Sequence, residues 1–286
     1  MPTLFLASDS TCQTYTFDEY PQMGWGQLLF KFFKEKDEVK IFGNREGMLS
    51  NVVTYEMPSF SIENHAIMAR SSRSFINEGR LDNLLARAKE GDVLAIQFAH
   101  NDAYKEREER YVPVSQYGDY LKKYKDACDE KRMRIIFVTP VSMRVFDENG
   151  RCQIAFNEYR EAMLEAAKKL NVPCIDLSLE STRLFNEIGS DGLRDVFLWL
   201  YKGEYPYGNF KDGSKDNAHF QSYGAELVAS LVAKLIIKIE GFEEYNDLKK
   251  AITDDFSVKK PERRFPEGFT WEDDYVDVSK NIISRE

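Results

Sequence analysis

The sequence is poor in the residues from which disulfide frameworks and metal centres are built. Among 286 residues it has three histidines and four cysteines, namely Cys12, Cys128, Cys152 and Cys174. It contains no C-x-x-C pair, no H-E-x-x-H motif and no glycine-rich phosphate loop. We therefore expect free thiols in a reducing compartment, and neither a metal nor a nucleotide cofactor.

An excess of positive charge and long apolar runs are also missing. The formal net charge is -9 and the sequence pI is about 5.1. Nucleic-acid binding needs clustered Lys and Arg, and a membrane-spanning helix needs about 20 consecutive apolar residues. No export signal precedes the first apolar run at Leu4. These absences predict a cytoplasmic protein that binds neither nucleic acid nor membranes, and they leave a homo-oligomer possible.

The sequence does contain enough apolar residues for one sizeable core. Hydrophobic residues make up 43% of the chain and aromatic residues 13%. After Glu240 the composition shifts to many charges, two prolines and scattered aromatic residues. Because disordered tails are poor in aromatic residues, we expect a catalytic domain over residues 1–240 and a packed C-terminal extension over residues 241–286. The extension would lie on the domain or on a partner subunit.

Short apolar runs alternate with stretches of helical periodicity along the first 240 residues. The predicted strands cover residues 4–7, 60–66, 92–98, 134–138 and 172–177. The predicted helices begin near Gly24 and cover residues 81–89, 117–131, 154–170 and 223–239. This alternation predicts an α/β fold, a three-layer α/β/α sandwich around a central, mostly parallel five-stranded sheet. Ligands of such sheets bind beyond the carboxyl ends of the strands.

Candidate catalytic residues occur at both ends of this region. Ser10 follows the first predicted strand, and Asp216 and His219 lie three residues apart just before the last predicted helix. A carboxylate that holds one imidazole nitrogen leaves the other nitrogen to face a serine hydroxyl. Taken alone, Ser10 is typical of a residue that caps a turn, and His219 of a loop histidine. Together they indicate a nucleophile, a base and a residue that orients the base.

Further polar residues follow other predicted strands. The side-chain amide of Asn101 is placed to stabilise an oxyanion, although asparagine is also common in turns. The stretch from residue 68 to 74 offers a backbone N–H for the same purpose. Arg70 and Arg73 in that stretch either bind substrate or brace loops through carboxylate pairs. His65 and His100 are expected to be structural.

An aromatic segment lies just before Asp216. It runs from residue 199 to 210, includes Tyr205 and Tyr207, and is interrupted by glycine and proline. It is either an ordinary packed connection or a wall suited to sugar rings.

Four short motifs give the chain a resemblance to the SGNH, or GDSL, hydrolases. They occur in the family's order and span nearly the whole core: Ser8-Asp9-Ser10, Ala69 where the family has a glycine, His100-Asn101-Asp102, and Asp216-x-x-His219. Within that family the chain most resembles the rhamnogalacturonan acetylesterase branch. The supporting stretches are residues 69–75, 98–102, 139–150 and 203–206, and the last motif itself.

The resemblance implies a flavodoxin-like fold and a role for each motif. Ser10 would be the nucleophile, His219 the general base and then acid, and Asp216 its orienter. The backbone N–H groups of Ser10 and Ala69 and the side chain of Asn101 would form the oxyanion hole. The sequence departs from the family's usual glycines at Ser8 and at Met68-Ala69, which limits the freedom of that loop.

We therefore expect a serine esterase that removes O-acetyl or similar short acyl groups from small, pectin- or xylan-derived oligosaccharides, with Arg70, Tyr205 and Tyr207 binding the substrate. One alternative is a short-chain lipid acylhydrolase or thioesterase on the same fold. Another is a carbohydrate-binding protein without catalysis.

Overall fold

The computed structural model describes residues 1–43 and 47–271. The strands are β1 (Thr3–Ser8), β2 (Gln22–Met23), β3 (Lys40–Gly43), β4 (Val53–Glu56), β5 (Ser61–Asn64), β6 (Val93–Gln97), β7 (Arg134–Val138), β8 (Cys174–Ile175), β9 (Phe197–Leu200) and β10 (Ser214–Gln221). The helices are α1 (Trp25–Leu28), α2 (Ser72–Asn77), α3 (Arg80–Leu85), α4 (Val114–Glu130), α5 (Asn157–Leu170), α6 (Leu177–Val196), α7 (Ser222–Ile237) and α8 (Asn246–Ala251).

A mixed seven-stranded sheet forms the centre of the molecule, with strand order β3-β4-β5-β1-β6-β7-β8. The five strands from β5 to β8 in that order are parallel, and they correspond to the five predicted strands. The α/β class and the mostly parallel sheet are therefore confirmed. The strand count of five is too low, because β3 and β4 add an antiparallel edge. Every residue of β3 is exposed, and its one apolar pair, Ile41-Phe42, is too short to predict a buried strand.

Successive residues of the central strands point to opposite faces of the sheet, so each strand contributes to two cores. In β1, Leu4 and Leu6 belong to one buried cluster, and Phe5 and Ala7 belong to the other. The first cluster is covered by α1, α6 and α7, and the second by α2 to α5. These two helical layers enclose the sheet, as the sequence predicts.

Helix α6 is the main element that the sequence analysis missed. It contains many polar residues, and its helical geometry is interrupted at Gly189, where φ is 77° and ψ is 162°. The interruption breaks the apolar periodicity that identifies a helix. A second sheet, of order β2-β10-β9, was also not predicted. This small antiparallel sheet carries Asp216 and His219 on β10.

The chain beyond residue 240 packs on the domain as far as it is described. The Tyr245 hydroxyl donates to the carbonyl oxygen of Ile135 on β7 at 2.7 Å, and Leu248 of α8 is fully buried. Phe256 and Trp271 pack against the cluster that contains α7. Residues 272–286 of the predicted extension lie outside the described part of the chain, and the boundary at residue 240 stays a prediction. Among the described helices, none has the length and apolarity that a bilayer crossing requires.

Candidate active site

Ser10 lies in a tight turn just beyond the carboxyl end of β1. The buried Asp9 shapes this turn, because its Oδ1 accepts hydrogen bonds from the Thr11 backbone N–H at 2.9 Å and from the Thr11 hydroxyl at 2.8 Å. The Tyr15 hydroxyl donates to the Ser10 carbonyl oxygen at 2.9 Å. The backbone around Ser10 is thus fixed, while its side chain is only partly buried.

Helix α1 approaches this turn so closely that two positions require glycine. A Cβ atom on Gly24 would lie 2.4 Å from the carbonyl carbon of Cys12, and one on Gly26 would lie 2.5 Å from the Cys12 sulfur. Real Cβ atoms essentially never come this close to other atoms, so any side chain at Gly24 would push the Ser10 turn away from the helix.

Asp216, His219 and Ser10 form a continuous hydrogen-bonded relay. Asp216 Oδ2 lies 2.8 Å from His219 Nδ1, and His219 Nε2 lies 2.9 Å from Ser10 Oγ. The other carboxylate oxygen of Asp216 accepts the backbone N–H groups of Ala218 at 2.7 Å and His219 at 3.0 Å. These bonds fold the backbone so that two side chains three residues apart face each other. With its proton on Nδ1, the imidazole presents Nε2 as an acceptor to the serine hydroxyl.

The strand that carries the acid–base pair is anchored at Asn217, the residue next to Asp216. Asn217 accepts a hydrogen bond from the Trp199 indole N–H at 2.9 Å, and its carbonyl oxygen accepts the Arg144 backbone N–H at 2.8 Å. Trp199 is buried in β9 and stacks under the Arg144 guanidinium, 4.5 Å from the ring centroid. Trp199 therefore supports the site from behind and does not line it, in contrast to the aromatic wall expected from the sequence.

Two loops beside the Ser10 turn carry the residues expected to bind an oxyanion. They follow β5 and β6, the two neighbours of β1 in the sheet. Ala69 is exposed and has φ 62°, the left-handed conformation that glycine adopts most easily. Ala99, before the Asn101 loop, has φ 144°. The Asn101 amide nitrogen donates to the Arg70 carbonyl oxygen at 3.1 Å, so the two loops are joined.

Buried acidic residues link these loops beneath the surface. Asp9 lies 3.4 Å from His100 Nδ1, and the His100 ring packs edge-on against Phe156. Burial by itself raises the pKa of Asp9, but its interactions with His100 and Thr11 outweigh burial and lower it overall. Asp102 accepts hydrogen bonds from the backbone N–H and hydroxyl of Ser72.

The pKa of Asp102 moves in the other direction. Burial raises it to about 7 despite the hydrogen bonds from Ser72, and the nearby charge of Asp9 adds to the effect. His65 forms a separate buried pair with Glu63, at 2.7 Å. These residues, including the histidines expected to be structural, lie under the site.

The residues expected to bind substrate occupy different settings. Arg70 donates to Glu78 at 3.0 Å and to the Met68 carbonyl oxygen at 3.1 Å, which is the loop-bracing arrangement. Tyr205 is half-buried, and Tyr207 is 83% exposed. Tyr205 packs edge-on against Tyr20, with ring centroids 5.5 Å apart.

Tyr20 and Phe17 are aromatic residues that the sequence analysis did not single out. They lie in the segment that follows the Ser10 turn, and Phe17 is 88% exposed. A Cβ on Gly208 would lie 2.4 Å from the Asp18 carbonyl oxygen, so this segment touches the one that precedes Asp216. We call the group Phe17, Tyr20, Tyr205 and Tyr207 the aromatic rim. The feature that marks Phe17 is its exposure on the surface, and the sequence alone does not show which aromatic residues are exposed.

Among residues 1–43 and 47–271, no three His, Cys, Asp or Glu side chains are grouped so that they could hold a metal ion. Independence from metals stays a prediction.

Comparisons with known proteins agree with this fold. Residues 9–232 match the family model of the GDSL-like lipases and acylhydrolases. The chain is 36% identical over 241 residues to the rhamnogalacturonan acetylesterase RhgT of Bacillus subtilis, covering 84% of this chain and 89% of the relative. The structure of YxiM from Bacillus subtilis matches with a TM-score of 0.65 and 21% identity, over 83% of this chain and 56% of that one. The acetylxylan esterase Axe2 from Geobacillus stearothermophilus matches with a TM-score of 0.53 and 12% identity, over 82% and 93% of the chains.

The chain belongs to the GDSL-like lipase and acylhydrolase family, and it is a carboxylic ester hydrolase. The resemblance drawn from its motifs is thereby confirmed. The two matched solved structures share its fold.

Proposed function

We propose that this protein is a serine esterase that removes O-acetyl or similar short acyl groups from carbohydrate, on oligosaccharides derived from pectin or xylan. The relay from Asp216 through His219 to Ser10, with distances of 2.8 and 2.9 Å, is the observation that carries the catalytic part. The relative named rhamnogalacturonan acetylesterase, similar over most of both chains, supports the carbohydrate part. The exposed aromatic rim supports it as well, because aromatic faces stack on sugar rings.

The mechanism follows from the two distances in this relay, with the imidazole proton placed on Nδ1 beside Asp216. His219 Nε2 takes the Ser10 proton while Oγ attacks the ester carbonyl, and Asp216 stabilises the imidazolium that forms. The negative oxygen of the tetrahedral intermediate would be held by the N–H groups of Ser10 and Ala69 and by the Asn101 amide. His219 then gives its proton to the departing sugar hydroxyl. Water, deprotonated by the same imidazole, attacks the acetyl carbonyl of the acyl-enzyme. The bond between that carbonyl carbon and Ser10 Oγ breaks, His219 returns the proton to Oγ, and acetate leaves.

The decisive experiment measures acetate release from a panel of acetylated pectin and xylan oligosaccharides, with lysophospholipid as a parallel substrate. We expect acetate release from at least one of the oligosaccharides and no hydrolysis of lysophospholipid. Preference for lysophospholipid would favour a lipid acylhydrolase. Labelling of Ser10 by a serine-reactive phosphonate separates an enzyme from a carbohydrate-binding protein, because a pure binder would not be labelled.

Ser10→Ala tests the nucleophile. We expect a loss of turnover on the order of a millionfold, because the hydroxyl forms the acyl-enzyme. The thermal unfolding midpoint should stay close to that of the wild type, since the Ser10 side chain is only partly buried. Retention of a few per cent of activity would contradict the assignment. A chelator should leave the wild-type rate unchanged, because no metal is expected to take part. The cytoplasmic location expected from the sequence stays a prediction.

A further inference from the structure

One arginine connects the two loops that carry the proposed oxyanion hole. Nη1 of Arg110 donates to the side-chain oxygen of Asn101 at 3.1 Å and to the backbone oxygen of Ala69 at 3.3 Å. Ala69 follows β5 and Asn101 follows β6, on opposite sides of β1 and its Ser10 turn. A single guanidinium nitrogen thus contacts two of the three residues proposed to hold the oxyanion.

The contact with Asn101 decides which way its amide points. An asparagine side chain has a donor end and an acceptor end of nearly the same shape. A guanidinium has only N–H donors, so Arg110 donates to the oxygen end of the Asn101 amide and disfavours the flipped orientation, which would place two donors against each other. The nitrogen end then has two hydrogens, of which one is directed to the Arg70 carbonyl oxygen. The other hydrogen remains for a substrate oxyanion.

A flipped amide would present oxygen to the developing negative charge and raise the barrier. In the observed orientation, the hydrogen bond from a charged donor to Oδ1 also polarises the amide and strengthens Nδ2–H as a donor. The charge of the guanidinium further favours a negative charge in the site.

The contact with Ala69 stabilises a backbone conformation that is unfavourable for alanine. At φ 62° the Cβ of Ala69 crowds its own backbone, so this conformation is less stable for alanine than an ordinary one. A hydrogen bond to the Ala69 carbonyl oxygen fixes the peptide plane that follows this strained residue. The chain has alanine where its family has glycine, and the Arg110 contact holds that alanine in the conformation glycine would adopt.

Arg110 is itself held in place by the loop from residue 103 to 112. Its guanidinium lies 5.3 Å from the centroid of the Tyr104 ring. The Val112 backbone N–H donates to the Asp102 carbonyl oxygen at 2.9 Å and closes the loop next to Asn101. The residue is partly buried, so its charge is less screened than that of a fully exposed side chain.

We propose that Arg110 is a positioning residue of the oxyanion hole, which fixes the Asn101 amide with its nitrogen toward the reacting carbonyl and holds the Ala69 loop. This inference rests on the proposed esterase function. Arg110 is not proposed to touch the reacting atoms.

The test compares kcat and KM of Arg110→Ala with those of the wild type on a short acetyl ester. Outer-shell partners of catalytic groups typically contribute about ten- to a hundredfold. We expect kcat to fall by about that factor with KM little changed, because the oxyanion exists only after the attack. Lys105→Ala removes a positive charge from an exposed position of the same loop and should leave kcat unchanged.

A double-mutant cycle with Asn101→Ala separates positioning from general destabilisation. Asn101→Ala alone should cost about a hundred- to a thousandfold in kcat. If Arg110 acts mainly through Asn101, adding Arg110→Ala to that variant should cost far less than it does in the wild type. Losses that multiply, or a change confined to KM, would overturn the proposal.

Arg110→Gln and Arg110→Lys keep the test valid if the alanine variant does not fold. Each retains one nitrogen that can donate a hydrogen bond, and Lys also retains the charge, so the rates should rank wild type, Lys, Gln, Ala. Equal rates in all four folded proteins would refute the role of Arg110 while leaving the esterase assignment intact. Absence of ester hydrolysis and of Ser10 labelling in the wild type would refute both.

Discussion

Ala69 combines an exposed position beside Ser10 with a backbone conformation that glycine enters at lower cost. Ala69→Gly keeps the N–H proposed to bind the oxyanion and removes the Cβ that crowds the chain. We expect the free energy of unfolding to rise by up to about 1 kcal/mol, because relief of the strain exceeds the extra entropy of glycine in the unfolded chain. Urea unfolding measures this change, and kcat should be close to wild type. A large loss of kcat would mean that the Cβ itself has a function.

Individual residues with distinctive chemistry were predictable from the sequence. His219 is one of three histidines, Asp216 lies three residues before it, and the structure brings both into a hydrogen-bonded relay with Ser10. Arg110 was not predictable, because its role depends on the fold bringing it to the Asn101 side chain and to the carbonyl oxygen of Ala69, which lies on another loop. Arg70 shows the opposite case, since its position in a site loop indicated substrate binding while its side chain is engaged by Glu78.

At the scale of elements, Arg263 attaches the C-terminal segment to the strand behind the site. Its side chain is 8% exposed, and it donates to Glu204 at 2.6 and 2.8 Å, to Asp195 at 3.0 Å and to the Trp199 carbonyl oxygen at 2.8 Å. Burial lowers the pKa of Arg263, but the two carboxylates outweigh burial and raise it. The guanidinium thus stays charged and joins residues 195, 199 and 204.

Arg263→Ala leaves two largely buried carboxylates without this partner. We expect a loss of about 3 to 5 kcal/mol in the free energy of unfolding, measured by urea titration. Turnover should also fall, because β9 pairs with β10, which carries His219. Lys260→Ala is the matched control, since Lys260 contacts the same Asp195 at 2.7 Å but is 57% exposed, and it should cost no more than about 1 kcal/mol. Equal losses in both variants would contradict a specific role for Arg263.

The elements predicted correctly are those in which local pattern and tertiary burial agree. The five parallel strands are apolar because both faces of the sheet are covered, and α4, α5 and α7 have long apolar stripes. The edge strands β3 and β4 and the strands β2 and β10 of the small sheet are held by pairing with neighbours, which leaves little trace in their own sequences. Strand β9 is a buried apolar run that the sequence analysis did not assign to a strand. The segment that contains Asp216 was not predicted to be a strand. Its pairing with β9 is irregular between Lys215 and Phe220, and the backbone N–H groups of Ala218 and His219 donate to the Asp216 carboxylate.

At the scale of the whole molecule, acid should destabilise the fold through Glu63. Burial raises the pKa of Glu63, but hydrogen bonds from Arg87 and His65 outweigh this and lower it to about 2. A carboxyl group whose pKa is lower in the folded state than its ordinary 4.5 stabilises the fold above pH 4.5, and this contribution is lost as the pH falls toward 2. Urea unfolding at a series of pH values should show that loss.

Two substitutions isolate the contribution of Glu63. Glu63→Gln should flatten the pH dependence between about 4.5 and 2. Glu165→Gln is the control, because Glu165 pairs with Lys169 at 2.6 Å on the exposed face of α5 and its charge is well solvated. If the free energy of unfolding of Glu63→Gln depends on pH as steeply as that of the wild type and of Glu165→Gln, the contacts of Glu63 with Arg87 and His65 do not determine acid stability.

The aromatic rim combines residues from two distant parts of the chain, the segment after Ser10 and the segment before Asp216. We propose that it binds the sugar part of the substrate. Truncating Tyr205 or Tyr207 to Ala should weaken turnover of an acetylated oligosaccharide far more than turnover of a small aryl acetate, since only the oligosaccharide uses binding energy remote from the ester. Phe42→Ala on the edge strand β3 removes another exposed aromatic ring, 43% exposed, and should affect neither substrate.

Short fragments should also be deacetylated faster per ester than intact polymer, because the two segments would wall a compact pocket. For the tyrosine variants, an equal loss of turnover on the oligosaccharide and on the aryl acetate would show that the tyrosines support the fold of the site and do not bind sugar. Equal rates on polymer and fragments would indicate an open groove, and the preference for oligosaccharides would then be wrong while the Ser10 mechanism stood.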